Sequence, residues 1–97
     1  MAEYSRVVSF EADDEAIDAL VGEIERAGGA PDGVNASRIT VLADRGAGTL
    51  VVAIRFRSEA DLRAGSAVLE AMSPSGPGTI RRTSVSEYEV LLEREGS

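Results

Sequence analysis

The sequence predicts an α+β domain of order βαββαβ, with a four-stranded antiparallel sheet and both helices on one face. Three observations predict it. Four stretches carry alternating or β-branched apolar residues, two carry apolar residues at helical spacing, and the middle two strands are separated only by a glycine-containing turn. Two crossovers of helical length around one hairpin describe a split βαβ arrangement, for which the expected spatial strand order is 4-1-3-2.

Each element has its own signature. Ser5 to Glu11 (SRVVSFE) is rich in β-branched and aromatic residues and reads as the first strand. Asp13, Asp14 and Glu15 suit the first turn of a helix, whose dipole favours acids there. Ile17, Leu20, Val21, Ile24 and Ala27 then form one apolar stripe, which Gly28-Gly29 ends. A loop from Ala30 to Asn35 carries Pro31 and Gly33 as breakers. Arg38 to Asp44 (RITVLAD) and Thr49 to Arg57 (TLVVAIRFR) read as strands joined by Arg45-Gly46-Ala47-Gly48, a hairpin. Leu62, Gly65, Ser66, Leu69 and Met72 line one side of a second helix, followed by a loop from Ser73 to Gly78. Arg82 to Glu93 reads as the last strand, and Arg94 to Ser97 as a frayed tail. The 97 residues make one domain, 1–97, with no repeat, linker or low-complexity tract. The arrangement is ferredoxin-like.

Ser58 opens the second helix, and two roles compete for it. A nucleophile elbow needs glycines around the serine and a base beside it; here the flanks are Phe56-Arg57 and Glu59-Ala60, and the chain has no His or Lys. Ser58 with Asp61 three residues later resembles a capping box instead. The expectation is a cap worth about 0.5–2 kcal/mol.

Composition excludes further chemistry. With no cysteine there is neither a disulfide nor a thiolate metal site, and with no histidine the commonest metal ligand and neutral-pH base are gone. All ten basic residues are arginine, which excludes a lysine Schiff base and a P-loop. The reading calls for no cofactor and no metal. A net charge of −7 argues against nucleic acid and anionic membrane as partners. An acidic, polar N-terminus and the lack of an apolar run near the ~20 residues that span a bilayer leave a soluble cytoplasmic protein as the expectation. Aromatics are 4% of the chain, so the core must come from Val, Ile, Leu and Ala.

Period-two reading divides the sheet into two faces. Val8, Phe10, Ile39, Val41, Ala43, Leu50, Val52, Ile54, Phe56, Tyr88, Val90 and Leu92 form an apolar set expected under the helices. The second set is mixed. It places Val7, Leu42, Val51, Ala53, Val85 and Leu91 among Ser9, Glu11, Thr40, Arg55, Glu87 and Glu89. On a lone chain this would be an exposed apolar patch, which a second copy would cover. The candidate ligand-binding residues are therefore Arg55, Val51, Ala53, Leu42, Val7 and Ser9. Arg55 can orient an anionic or carbonyl group, or pair with Glu11 on the adjacent strand or with Glu87 and Glu89 across a dimer. Arg55, Glu87 and Glu89 are the catalytic candidates, since two glutamates buried together can act as an acid and a base. The plainer reading of Glu87 and Glu89 is a solvated edge that blocks aggregation. Tyr88 is expected in the core, Asn35 in a loop, and Arg81-Arg82 as a solvated pair or an anion contact.

The βαββαβ order, the helix start SEADLRAG after VVAIRFR, and the closing PGTIRRTSVSEYEVLLE resemble the dimeric α/β-barrel superfamily, and within it small proteins related to antibiotic biosynthesis monooxygenases. Ser84, Val85, Tyr88, Glu89 and Val90 carry most of the match. The resemblance implies two sheets paired into a barrel with helices outside, and, for some members, oxidation of aromatic polyketides without metal or flavin. Those enzymes tend to place Trp, Asn, Tyr or His around the substrate; here Trp and His are absent and Asn35 is the only asparagine. Other proteins of this topology fit less well. The first βα loop, Glu11 to Asp14, is too acidic to cradle phosphate. The mixed face lacks the aromatics of an RNA-recognition module, and the paired cysteines of a heavy-metal domain are missing. Two expectations follow: a homodimeric barrel, if not a higher assembly, that binds a small apolar molecule and acts as a monooxygenase-like enzyme, or a non-catalytic dimeric module whose cavity its own side chains fill.

Overall fold

The structure is a computed structural model that describes residues 2–72 and 76–96. Part of the expected loop, Ser73 to Ser75, lies outside the described residues. The elements are β1 (Glu3–Ala12), α1 (Asp14–Ala27), β2 (Arg38–Asp44), β3 (Thr49–Phe56), α2 (Glu59–Glu70) and β4 (Ile80–Val90). They form one four-stranded sheet in the order β2-β3-β1-β4, antiparallel throughout. This is the expected ferredoxin-like order read from the other edge.

The helix ends follow from their side chains. Asp13 caps α1, its Oδ1 accepting from Ala16 N at 2.9 Å. The same carboxylate accepts from Thr79 N at 3.0 Å through Oδ2, and Asp13 N donates to Thr79 O at 3.1 Å. One residue thus starts α1 and ties it to the entry of β4. The approach is close enough that a Cβ on Gly78, at φ 83°, would lie 2.5 Å from both Ala16 N and Asp13 Oδ1. Ser58 is the N-cap of α2, its Oγ accepting from Asp61 N at 3.1 Å. Ser58 is therefore a helix cap, as its spacing to Asp61 predicts.

Phe56, Leu50 and Ile17 are the most completely buried large side chains. They pack with Val8, Phe10, Val52, Ile54, Ala16 and Leu62 between the sheet and the helices. Gly65 lets α2 settle onto the ring of Phe56, since a Cβ there would lie 2.6 Å from Phe56 Cε1.

Two expectations about β4 are corrected. The strand runs from Ile80 to Val90, not from Arg82 to Glu93. Among the described residues its one neighbour is β1, in which Ala12 faces Ile80 and Glu3 faces Val90, so β4 ends where its partner begins. The second correction concerns its faces. Val85 lies opposite Val8 and Glu87 opposite Arg6, while Tyr88 lies opposite Ser5. Val85, Glu87 and Glu89 therefore share the helix side, and Tyr88 and Val90 share the open side, the reverse of the alternation reading. A one-residue offset moves every side chain of a strand to the other face. Tyr88 is accordingly 56% exposed instead of buried in the core. The register also shifts between Ser9, opposite Ser84, and Phe10, opposite Arg82, which leaves Thr83 as the extra residue of a bulge.

Candidate functional site on the open face

The pairings place the open-face residues in rows across the sheet, running β2, β3, β1, β4. One row is Arg38, Arg55, Ser5 and Tyr88. The next is Thr40, Ala53, Val7 and Ser86, and the third is Leu42, Val51, Ser9 and Ser84. The last is Asp44, Thr49, Glu11 and Arg81. The two central rows carry no charge and consist of small side chains, hydroxyls and a single leucine. Charge is confined to the ends. Across the strands of this face Arg38, Arg55 and Arg81 balance Glu3, Glu11 and Asp44, so the face is neutral on a chain of net charge −7.

Val7, Ser9, Leu42, Val51 and Ala53, the expected ligand-binding set, are thus brought together in the two central rows, with Arg55 in the adjoining one. Val7, Ser9, Val51 and Ala53 are half-buried, and Leu42 is exposed. Tyr88 and Val90 join this side. Val85 leaves it to pack against the core, and Leu91 lies past the end of β4, 85% exposed.

Arg55 pairs with carboxylates of its own chain, though not with Glu11. Its Nη1 donates to Glu3 at 3.2 Å and its Nη2 to Glu93. Glu11 is held instead by Arg81 at 2.5 Å. The guanidinium holds the Glu93 carboxyl below the usual carboxylate range, chiefly through this hydrogen bond, and the same bond raises the pKa of Arg55. Around this pair Glu3, Ser37, Arg38, Arg55, Arg57 and Glu93 line a polar cleft of about 200 Å³. Glu93 went unnoticed in the sequence because the last strand was expected to run through it, whereas β4 ends at Val90.

Glu87 and Glu89, the expected acid–base pair, are on the helix side and both exposed. Glu87 accepts from Ser66 Oγ at 2.5 Å and sits 3.8 Å from Arg6 Nη1. Arg6 was not anticipated at all. It is only 2% exposed, and its Nη2 donates to Glu70 at 2.9 Å, while Arg82 reaches the same glutamate at 3.1 Å. Arg6, then Arg82, hold Glu70 below its usual pKa. The signal was present in the sequence: Arg6 stands in step with Val8 and Phe10, two residues apart along a core-facing strand. Asn35 is exposed in its loop. Among the described residues no cluster of acidic residues has the geometry to hold a metal ion, and no helix is long and apolar enough to cross a membrane.

Comparison with protein families, with characterised proteins and with solved structures gives no match for this chain in any of the three.

Proposed function

We propose that the chain acts in the cytoplasm as a homodimer whose two open faces meet and enclose a small, largely apolar molecule. One observation carries this reading: the centre of the face is uncharged and built from small side chains, inside an electrically balanced rim on an otherwise acidic molecule. Two acidic chains repel each other, but they repel least where the local charge cancels. Sheets that pack face to face stand about 10 Å apart. Ala53, Ser9, Ser84 and Ser86 are too short to fill such a gap, and Val7, Val51 and Leu42 supply apolar walls. Arg55 sits at the margin, where it can orient a polar group of the ligand.

The resemblance of the sequence to the dimeric α/β-barrel superfamily supports the same assembly. It extends the proposal to oxidation of an apolar aromatic substrate without metal or flavin. Substrate-dependent oxygen uptake across a panel of quinols and polyketides tests that extension, and its absence would remove the enzymatic part. The second reading, a dimeric module that fills its own cavity, is favoured by the lack of His, Cys, Lys and Trp. Native mass spectrometry on protein purified from its own host separates the two. A dimer carrying a defined small mass supports the cavity, a bare dimer favours the module, and a monomer overturns both.

A further inference from the structure

We propose that the cleft formed by Arg38, Arg55 and Arg57 binds the carboxylate of a small acidic molecule, and that Glu93 is its resident occupant, displaced when the ligand enters. Arg38 and Arg55 lie directly opposite each other on β2 and β3. Like charges in that position destabilise a sheet unless an anion lies between or beside them. Arg57, just past β3, lines the same cleft. An acidic chain thus gathers three of its ten arginines at one end of the open face.

The carboxylates at hand form salt bridges with only one of the three, although Glu93 also feels the charge of Arg38. Glu3 and Glu93 both bond Arg55, and among the described residues neither Arg38 nor Arg57 forms a salt bridge. Guanidinium groups recognise a planar carboxylate through paired, parallel hydrogen bonds, so unused donors beside Arg55 suit a second carboxylate. Glu93 is the group that can give way. Leu91 to Gly96 belongs to no helix or strand, so moving Glu93 breaks no ladder hydrogen bond. Glu3, by contrast, is fixed in β1 opposite Val90.

The cleft lies within one protomer and does not require the dimer. Its ligand class does rest on the apolar reading of the open face: together the two select an amphiphile, with its hydrocarbon over Ala53 and Val7 and its carboxylate at the arginines.

Calorimetric titration of the full chain with octanoate tests this, with 1-octanol and inorganic phosphate as comparison probes. Arg55→Gln or Arg57→Gln should weaken octanoate binding by about tenfold or more, as loss of a charge-assisted partner does. Glu93→Gln should strengthen it by about tenfold, because the internal competitor is gone. Glu93 is an exposed residue outside the sheet, so this variant reports on the site even if an arginine variant fails to fold. No octanoate binding, or binding indifferent to the arginines, overturns the site. Unchanged affinity in Glu93→Gln overturns the role of Glu93. Phosphate binding as tightly as octanoate, and through the same arginines, overturns the carboxylate assignment. Sedimentation of the same samples keeps the two proposals apart: a monomer that binds octanoate through Arg55 sustains the cleft while removing the dimer, and a dimer that does not bind removes only the cleft.

Discussion

The two faces of the sheet are made by the same four strands and have opposite characters. The helix face carries Phe10, Leu50, Val52, Ile54 and Phe56, large side chains in close contact with Ile17, Leu62 and Gly65, and it buries one arginine among them. The open face carries Ala53, Ser9, Ser84, Ser86 and Thr40 between Val7, Val51 and Leu42, and it keeps its charges at the ends. The first face is largely covered within one chain, with Ala43 on its β2 edge left exposed. The second has apolar side chains and short ones with no helix over them, the composition expected if the proposed partner is a separate molecule. The difference teaches that the helix face holds stability, and it is the ground for placing recognition, as proposed, on the open face.

The largest expected effect tests the helix face. Phe56→Ala should lower stability by about 3–5 kcal/mol, the cost of a large cavity in a close-packed core, read as a shift in the urea midpoint. Ala53→Asp tests the other side. It should leave the stability of the single chain within about 1 kcal/mol of the original while abolishing assembly, because an unpaired charge at a buried interface costs several kcal/mol. Equal loss of folding in both variants would erase the proposed division of labour.

A smaller effect concerns the buried arginine. Glu70 and Glu87 return to water when Arg6 is replaced, so Arg6→Met should stay within about 1 kcal/mol of the original stability or exceed it, as for other buried ion pairs replaced by apolar groups of similar volume. Arg6→Ala also removes the packed stem and should cost about 2–3 kcal/mol more. If Arg6→Met is as damaging as Arg6→Ala, the charge itself is required.

The smallest effect is acid sensitivity. Glu70 and Glu93 have folded-state pKa values depressed by their arginines. Their contribution is complete above the unfolded carboxylate value near ~4.3 and is lost as the pH falls through the folded values below it. Stability measured from pH 6 down to 3 should therefore decline, and Glu70→Gln with Glu93→Gln should flatten the decline.

Much of this was legible in the sequence, because alternation and helical stripes are local. They located all six elements, the hairpin, the strand order and the Ser58 cap. The face of β4 was not legible. Tyr88 and Val90 are the apolar members of an alternation with Glu87 and Glu89, and hydrophobicity alone puts them in a core. The register instead puts Val85 opposite Val8 and Glu87 opposite the buried Arg6. The Arg55–Glu93 contact was illegible for a related reason: it joins a strand to a segment beyond the last strand, 38 residues away, and no local spacing encodes it.

The bulge at Thr83 gives β4 two reading frames. Ile80 to Arg82 are phased by the end of β1, where Arg81 meets Glu11 and Arg82 turns towards Glu70. Ser84 to Val90 are phased separately, with Val85 opposite Val8 and Glu87 opposite Arg6. Thr83 is the comma between them. Without it the two halves of the strand would compete for a single phase: either Arg81 and Arg82 would exchange sides, or the open face would surrender Tyr88 and two serines and receive Glu87 and Glu89 in their place. One unpaired residue in an edge strand thereby keeps Glu87 and Glu89 off the open face.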